Sequence, residues 1–274
     1  MPEIITKIFV FIFGSTIGSF LNVCIHRMPL GESVVWPHSH CPHCKKKIPT
    51  YDNIPFISYL ALRGRCRFCK GRISLRYPLV ELLTALMFLV LFQRYGLSYD
   101  FLVLVLFVCG LIIASFVDMR HLIIPDEISI GGIILGFILI SIKGFGLKPF
   151  TYDPKPLLNS LLGIIVGAGM IYFTGKLFDL VYFKLLKRPP VQGETESMGG
   201  GDVKLLAMIG AFLGWQKVIL TFFLAPFFGA IIGLINLITR KEHVVPYGPF
   251  LSLASLLSLF WADKIISWIF PYLG

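Results

Sequence analysis

The stretch SYDFLVLVLFVCGLIIASFVDMR, residues 98–120, decides the fold. Its apolar part, residues 101–117, carries no charged side chain and falls within the length range of helices that cross a lipid bilayer, about 17–25 residues. Asp118 follows it directly. A carboxylate at the end of a membrane helix costs free energy unless it is hydrated, paired or protonated, so Asp118 is a candidate functional residue.

The rest of the chain repeats this pattern. Of its 274 residues, 56% are hydrophobic and only 15% are charged, whereas soluble domains average about 25% charged residues. The sequence therefore predicts an all-α polytopic membrane protein with about eight transmembrane helices. The first run is predicted to be a retained helix rather than a signal peptide, and the sixth is expected to be partly buried in protein. The eight runs are residues 4–25, 78–95, 98–117, 128–142, 157–183, 203–213, 217–238 and 248–268.

The distribution of charge predicts the orientation. The net charge is +10, and ten Lys and Arg against two acidic residues lie from Arg27 to Arg76. The positive-inside rule makes this segment cytoplasmic, and eight spans then place Asp118 and Asp202 at cytoplasmic ends and both termini outside. The surplus charge indicates orientation and attraction to anionic lipid rather than a nucleic-acid partner. Five further basic residues are also predicted inside: Lys184, Lys187, Arg188, Arg240 and Lys241.

Residues 27–77 form a small polar insert between the first two helices. Two C-x2-C pairs, Cys41 with Cys44 and Cys66 with Cys69, are separated by 21 residues, one beyond the usual zinc-ribbon range of about 15–20. Four thiolates complete a tetrahedral site and leave no open position, so one structural zinc ion per chain is predicted. Disulfides and free thiols are the alternatives, and a reducing cytoplasm disfavours disulfides.

A second aspartate, Asp202, follows three glycines and precedes an apolar run. Gly199 and Gly201 permit tight turns and close backbone approach, while Lys204 could lower the pKa of Asp202 or reach the membrane surface. If Asp118 and Asp202 point into one cleft, the pair shares a proton. The ionised carboxyl can then activate water while the protonated one polarises a carbonyl, as in aspartic proteases. The alternative is an interfacial residue or a helix N-cap.

Several short motifs follow one another along the chain in a specific order. They are GSFLNV at 18–23, the two cysteine pairs, YDNIP at 51–55, RGRC at 63–66, RYPLVEL at 76–82, Asp118 with IPD at 124–126, and GGGDVK at 199–204. In their order and spacing, over nearly the whole chain, the sequence resembles the type IV prepilin peptidases, a family of bifunctional leader peptidases and N-methyltransferases.

The resemblance implies a bacterial inner-membrane aspartic endopeptidase. Its substrates would be type IV prepilins and the pseudopilins of type II secretion, whose basic leader is cut at the cytoplasmic face. The new N-terminal residue would then be methylated with S-adenosylmethionine. The catalytic aspartates of the family fall on Asp118 and Asp202, with Gly199, Gly201 and Lys204 in a supporting loop, and the cysteine insert is the part associated with methylation.

The cofactor site is less visible in the sequence. No glycine-rich strand-to-helix fingerprint is present, so S-adenosylmethionine is expected to bind between the insert and helix ends. Asn22 and Glu81 are the candidate residues for binding the cofactor or the amine. The alternatives are a C-terminal cap for Asn22 and an ordinary helix-end carboxylate for Glu81.

Three parts of the chain are predicted: a first transmembrane helix at 1–26, the zinc-binding insert at 27–77, and a transmembrane peptidase core at 78–274. Two other classes of function compete with the enzyme. A transporter with a zinc-bearing loop could use the aspartates as a proton relay, and a secretion-machine scaffold could use the insert for docking. The position of the aspartates at helix ends, away from the bilayer centre, disfavours the transporter.

Overall fold

The computed structural model describes residues 2–36, 38–145, 153–185, 198–239 and 246–269. Within these ranges the regular elements are helices, and the insert also holds two isolated bridges. Eight long helices follow the eight predicted apolar runs in order, with a short helix, α2, in the insert. The helices are α1 Pro2–Arg27, α2 Ile57–Ala61, α3 Arg76–Tyr95, α4 Tyr99–His121, α5 Asp126–Ile142, α6 Lys155–Asp179, α7 Gly200–Leu213, α8 Trp215–Thr239 and α9 Gly248–Ile269.

Five of the described helices are long and apolar enough to cross a membrane: α1, α3, α4, α6 and α8. Their presence confirms the predicted all-α membrane fold. Four of the basic residues predicted inside, Lys187, Arg188, Arg240 and Lys241, lie outside the described residues.

The chain divides into two compact units, Met1–Val117 and Asp118–Gly274. In the first unit α1 packs along α3. A Cβ on Gly18 would lie 2.7 Å from the Cα of Glu81, so the two helices can approach this closely only because the α1 position is glycine. This close approach sets Glu81 against the face of α1 that carries Asn22.

In the second unit the short helix α7 is the centre of the packing. It contacts α5, α6, α8 and α9, and all residues from Leu205 to Leu213 are buried. A Cβ on either Gly163 of α6 or Gly210 of α7 would collide with the backbone oxygen of the other residue. The prediction that the sixth run is buried in protein is confirmed, because neighbouring helices surround a helix of 14 residues.

Candidate functional site

Asp118 lies near the C-terminal end of α4, where its side chain is enclosed. The residue is only 6% exposed. Its Oδ2 accepts a hydrogen bond of 2.8 Å from the backbone N–H of Gly248, the first residue of α9. The N–H groups of a first helical turn have no partner within their own helix, so the carboxylate satisfies one of them at the positive end of the α9 dipole.

Asp202 lies in the first turn of α7 and is half-buried. Burial and the nearby charge of Asp118 raise the pKa of Asp202 to about 7. The two carboxyl groups therefore interact, although they are distant in sequence. Gly199, the residue before α7, has an extended backbone conformation and its own backbone oxygen accepts the N–H of Asp202, so Asp202 itself is not the N-cap of the helix.

Lys204 pairs with a different acid from the one expected. Its Nζ lies 2.7 Å from Oδ1 of Asp126 in the first turn of α5. The side chains of Lys204 and Asp126 are 39% and 58% exposed. In this arrangement Lys204 joins the start of α7 to the start of α5. A Cβ on Gly201 would lie 3.3 Å from Ile124, which precedes α5, so the segments that open the two helices lie close together.

A tyrosine lies close enough to Asp202 to be affected by its charge. Tyr247 immediately precedes α9 and is half-buried, and its backbone oxygen accepts the N–H groups of Phe250 and Leu251. Burial and the charge of Asp202 raise the pKa of Tyr247 to about 12. Its hydroxyl is therefore protonated at neutral pH and can donate a hydrogen bond.

The four predicted metal-ligating cysteines come together in the insert. Cys41, Cys44, Cys66 and Cys69 have sulfur atoms that all lie within 4.8 Å of one another, and none is in a disulfide. The Cys41 and Cys69 sulfurs are 3.8 Å apart. A tetrahedral zinc site with Zn–S bonds of about 2.3 Å requires sulfur separations of about 3.8 Å, so the donor set fits zinc.

The two cysteine pairs are built from the same backbone turn. In the first, the N–H of Lys45 donates to Cys41 and the N–H of Cys41 donates to Lys46. The second repeats these bonds: Lys70 donates to Cys66, and Cys66 to Gly71. The backbone N–H of Cys69 is the main cause that lowers the pKa of the Cys66 thiol to about 6, which favours its thiolate form. The backbone N–H of Gly71 lowers the pKa of Cys69, but burial and the neighbouring thiols outweigh this effect and raise that pKa to about 11.

Asn22 and Glu81 also lie together, on facing surfaces of α1 and α3. Asn22 donates a 3.0 Å hydrogen bond to the backbone oxygen of Tyr77, whereas its own Oδ1 is buried with no partner among the described residues. Glu81 accepts the N–H of Phe56, a 3.1 Å bond from the insert, and a bond from Ser19. Asn22 lies inside α1, which runs on to Arg27, so the alternative that it caps the helix is wrong.

Comparisons with known proteins identify the family. Residues 12–95 match the family model described as the bacterial peptidase A24 N-terminal domain, and residues 105–234 match that of the type IV leader peptidase family. The chain belongs to this family. The N-terminal match contains the four cysteines, Asn22 and Glu81; the second contains Asp118 and Asp202.

Curated relatives of this chain carry the name prepilin leader peptidase/N-methyltransferase. The protein from Stutzerimonas stutzeri is 36% identical over 93% of this chain and 90% of its own length. The relative from Pseudomonas putida is 35% identical over 96% and 93%, and that from Aeromonas hydrophila 34% over 94% and 92%. No solved structure matches this chain.

Sequence reasoning missed three residues of these sites. Tyr247 and Gly248 precede and open α9, and the only sequence signal is a glycine followed by proline where a helix begins. Phe56 was missed because its importance is conformational: its φ of 57° lies where non-glycine residues are rare, and its N–H is bound by Glu81. Such strained backbones tend to cluster at functional sites.

Proposed function

We propose that this protein is a membrane aspartic endopeptidase that cleaves the leader of type IV prepilins and pseudopilins, with Asp118 and Asp202 as its catalytic residues. The names of its relatives support the substrate class. The observation that supports the catalytic assignment is that Asp118, at the end of α4, and Asp202, at the start of α7, are near enough for the charge of one to act on the other. The start of α9 holds the Asp118 carboxyl group through the N–H of Gly248. Peptide hydrolysis by a carboxyl pair needs one ionised and one protonated member.

The pair performs hydrolysis without a covalent intermediate. The ionised carboxylate takes a proton from water as the water oxygen attacks the scissile carbonyl carbon, and the protonated carboxyl gives its proton to the carbonyl oxygen. The resulting neutral diol collapses when the first carboxyl protonates the leaving nitrogen and the second takes back a hydroxyl proton. The C–N bond breaks, leaving a new carboxyl group and a new N-terminal amine.

The first unit would carry out the methylation of that amine. S-adenosylmethionine supplies an electrophilic methyl group when it is bound. Asn22 and Glu81 would hold the cofactor or the amine, since a buried oxygen without a partner, the Oδ1 of Asn22, calls for a hydrogen-bond donor. The four cysteines would hold one structural zinc ion that fixes the insert, including Phe56, whose N–H binds Glu81.

The membrane setting follows from the charge pattern. We infer that the protein lies in the bacterial inner membrane with the cysteine insert and the aspartates on the cytoplasmic side. Of the two acids in the insert, Asp52 is already paired bidentately with Arg67, at 2.6 and 2.7 Å. It is therefore a structural residue of the insert and is not free to read a basic leader.

The experiment that tests this function is reconstitution in liposomes. Purified protein, a prepilin and S-adenosylmethionine are combined, and the product mass is read. Loss of the leader together with the gain of one methyl group is the expected result, and omission of the cofactor should leave cleavage intact. Glu81→Gln should reduce methyl transfer while cleavage continues. Absence of cleavage by correctly folded protein would reject the peptidase and favour the transporter or scaffold.

A further inference from the structure

The turn that opens α9 contacts Asp118, and it lies outside the motifs quoted above and outside the family-model match. The type IV leader peptidase match ends at residue 234, whereas Tyr247 and Gly248 lie beyond it. Gly248 donates its backbone N–H to Oδ2 of Asp118, and no comparable backbone donor to Asp202 is found in the described residues. The two carboxyl groups therefore have unequal surroundings.

We propose that Gly248 is a positioning residue that fixes the roles within the pair: its N–H orients Asp118 as the carboxylate that activates water and leaves Asp202 as the acid. The inference rests on the proposed function. A hydrogen bond from an N–H group favours the ionised form of its acceptor. Because the two like charges interact, ionisation of Asp118 keeps the proton on Asp202.

The requirement for glycine at position 248 follows from the same contact. A Cβ on Gly248 would lie 2.9 Å from Oδ2 of Asp118 and 3.3 Å from its Cγ. Any larger residue must displace the carboxyl group or the helix start, because Asp118 is buried and α9 begins at this residue. Side-chain size at this position thus acts directly on the catalytic geometry.

Other ionisable groups around Asp118 have different environments. Tyr247 is protonated at neutral pH because its pKa is about 12, and Lys204 is paired with Asp126. The remaining ionisable group that interacts with Asp118 is therefore Asp202, which is half-buried. Three further ionisable residues lie close in sequence to Asp118 or to the start of α5: Arg120 and Glu127, both exposed, and His121, half-buried. Asp100 of α4 and Asp263 and Lys264 of α9 lie far along their helices from the ends that meet here.

The protonation state of Asp118 can be followed through the backbone N–H of Gly248, which donates to the Asp118 carboxyl group. The chain contains two Tyr-Gly pairs, Tyr95–Gly96 and Tyr247–Gly248. Labelling tyrosine with 13C at the carbonyl and glycine with 15N therefore selects two amide signals. We expect the Gly248 signal to shift with pH. Its midpoint should coincide with the pH at which the cleavage rate falls on the acid side of the pH–rate profile. The Gly96 signal should stay constant. Asp118→Asn should abolish the shift and Asp202→Asn should preserve a shift.

Gly248→Ala supplies the kinetic test. We expect kcat to fall by about 10- to 100-fold, less than the about 10²- to 10³-fold lost when an active-site donor is removed, because alanine displaces the N–H without removing it. The low-pH side of the pH–rate profile should move to higher pH, and KM for prepilin should stay unchanged. Gly131→Ala is the matched control, because a Cβ on Gly131 in α5 meets no atom within 4 Å. A thermal unfolding curve close to that of Gly131→Ala reports that the second unit of Gly248→Ala is folded.

The possible outcomes distinguish the catalytic role of the two aspartates from the positioning role of Gly248. Cleavage by Asp118→Asn or Asp202→Asn would reject the proposed catalytic pair itself. Loss of cleavage in both variants, with Gly248→Ala indistinguishable from Gly131→Ala, would reject only the role of Gly248. A slower Gly248→Ala with an unmoved low-pH side of the pH–rate profile, or a Gly248 signal that ignores pH, would likewise overturn the assignment of roles.

Discussion

The cysteine cluster of the first unit and the aspartate pair of the second are built in opposite ways. The cysteines come from two copies of one backbone turn within a single insert. The aspartates come from the end of α4 and the start of α7, and they depend on a third segment, the start of α9. A site made of repeated local turns is visible as spacing in the sequence, whereas a site made at helix ends exists only once the helices have packed.

The two sites also differ in their effect on stability. A metal ion held by the four converging cysteines would contribute directly to folding of the small insert. The aspartate pair does the reverse, because burial and like charge make ionisation of Asp202 unfavourable. The variants below therefore distinguish a site that stabilises the fold from a site that lowers the free energy of unfolding.

Removal of either catalytic carboxyl should have the largest effect. Asp118→Asn and Asp202→Asn should each lower kcat for leader cleavage by about 10³-fold or more, because neither half of an acid–base pair completes the reaction alone. The measurement is a single-turnover assay on reconstituted protein with a prepilin substrate. Both variants should still methylate a pre-cleaved substrate, and a thermal unfolding curve close to that of the parent serves as the control for folding of the second unit. Full cleavage by either variant would remove it from the catalytic pair.

Loss of a cysteine in the cluster should impair methylation rather than leader cleavage. Cys41→Ser and Cys66→Ser should each abolish stoichiometric zinc binding and lower methylation by about 10-fold or more, while leader cleavage changes little. Metal content by mass spectrometry and methyl transfer are measured together. Cys109→Ser is the matched control, because Cys109 lies in α4 outside the cluster. Retention of zinc after loss of Cys41 would contradict a four-cysteine site.

The comparison also explains what could be predicted from the sequence. Hydrophobic run length predicted the eight long helices, because each run is contiguous, and C-x2-C spacing predicted the cysteine cluster. Neither signal could predict that Lys204 pairs with Asp126 or that Gly248 donates its N–H to Asp118. These contacts join residues from different helices, and the sequence alone does not give the rotation of each helix about its axis.

A smaller effect is expected on the pH dependence of stability. The pKa of Asp202 in the folded protein is about 7, above its value of 3.8 without the fold. Between these values the unfolded chain has released the proton that the folded protein keeps, so this group lowers stability as the pH rises from about 4 to about 7. Asp202→Asn removes the penalty, and its gain in Tm over the parent should be larger at pH 8 than at pH 5. An equal gain at both pH values would show that Asp202 ionises normally.

The smallest effect is expected at Lys204, although it is the charged residue nearest in sequence to Asp202. If Lys204 activated Asp202 directly, Lys204→Met would impair cleavage about as severely as loss of the aspartate. The structure pairs it instead with Asp126 through a bond whose two side chains are partly exposed, and exposed pairs contribute about 0–1 kcal/mol. We therefore expect Lys204→Met and Asp126→Asn to change kcat by about twofold at most. The double variant should resemble either single one, because each change breaks the same pair. A much larger loss in Lys204→Met than in Asp126→Asn would instead give the lysine a role at the aspartate pair.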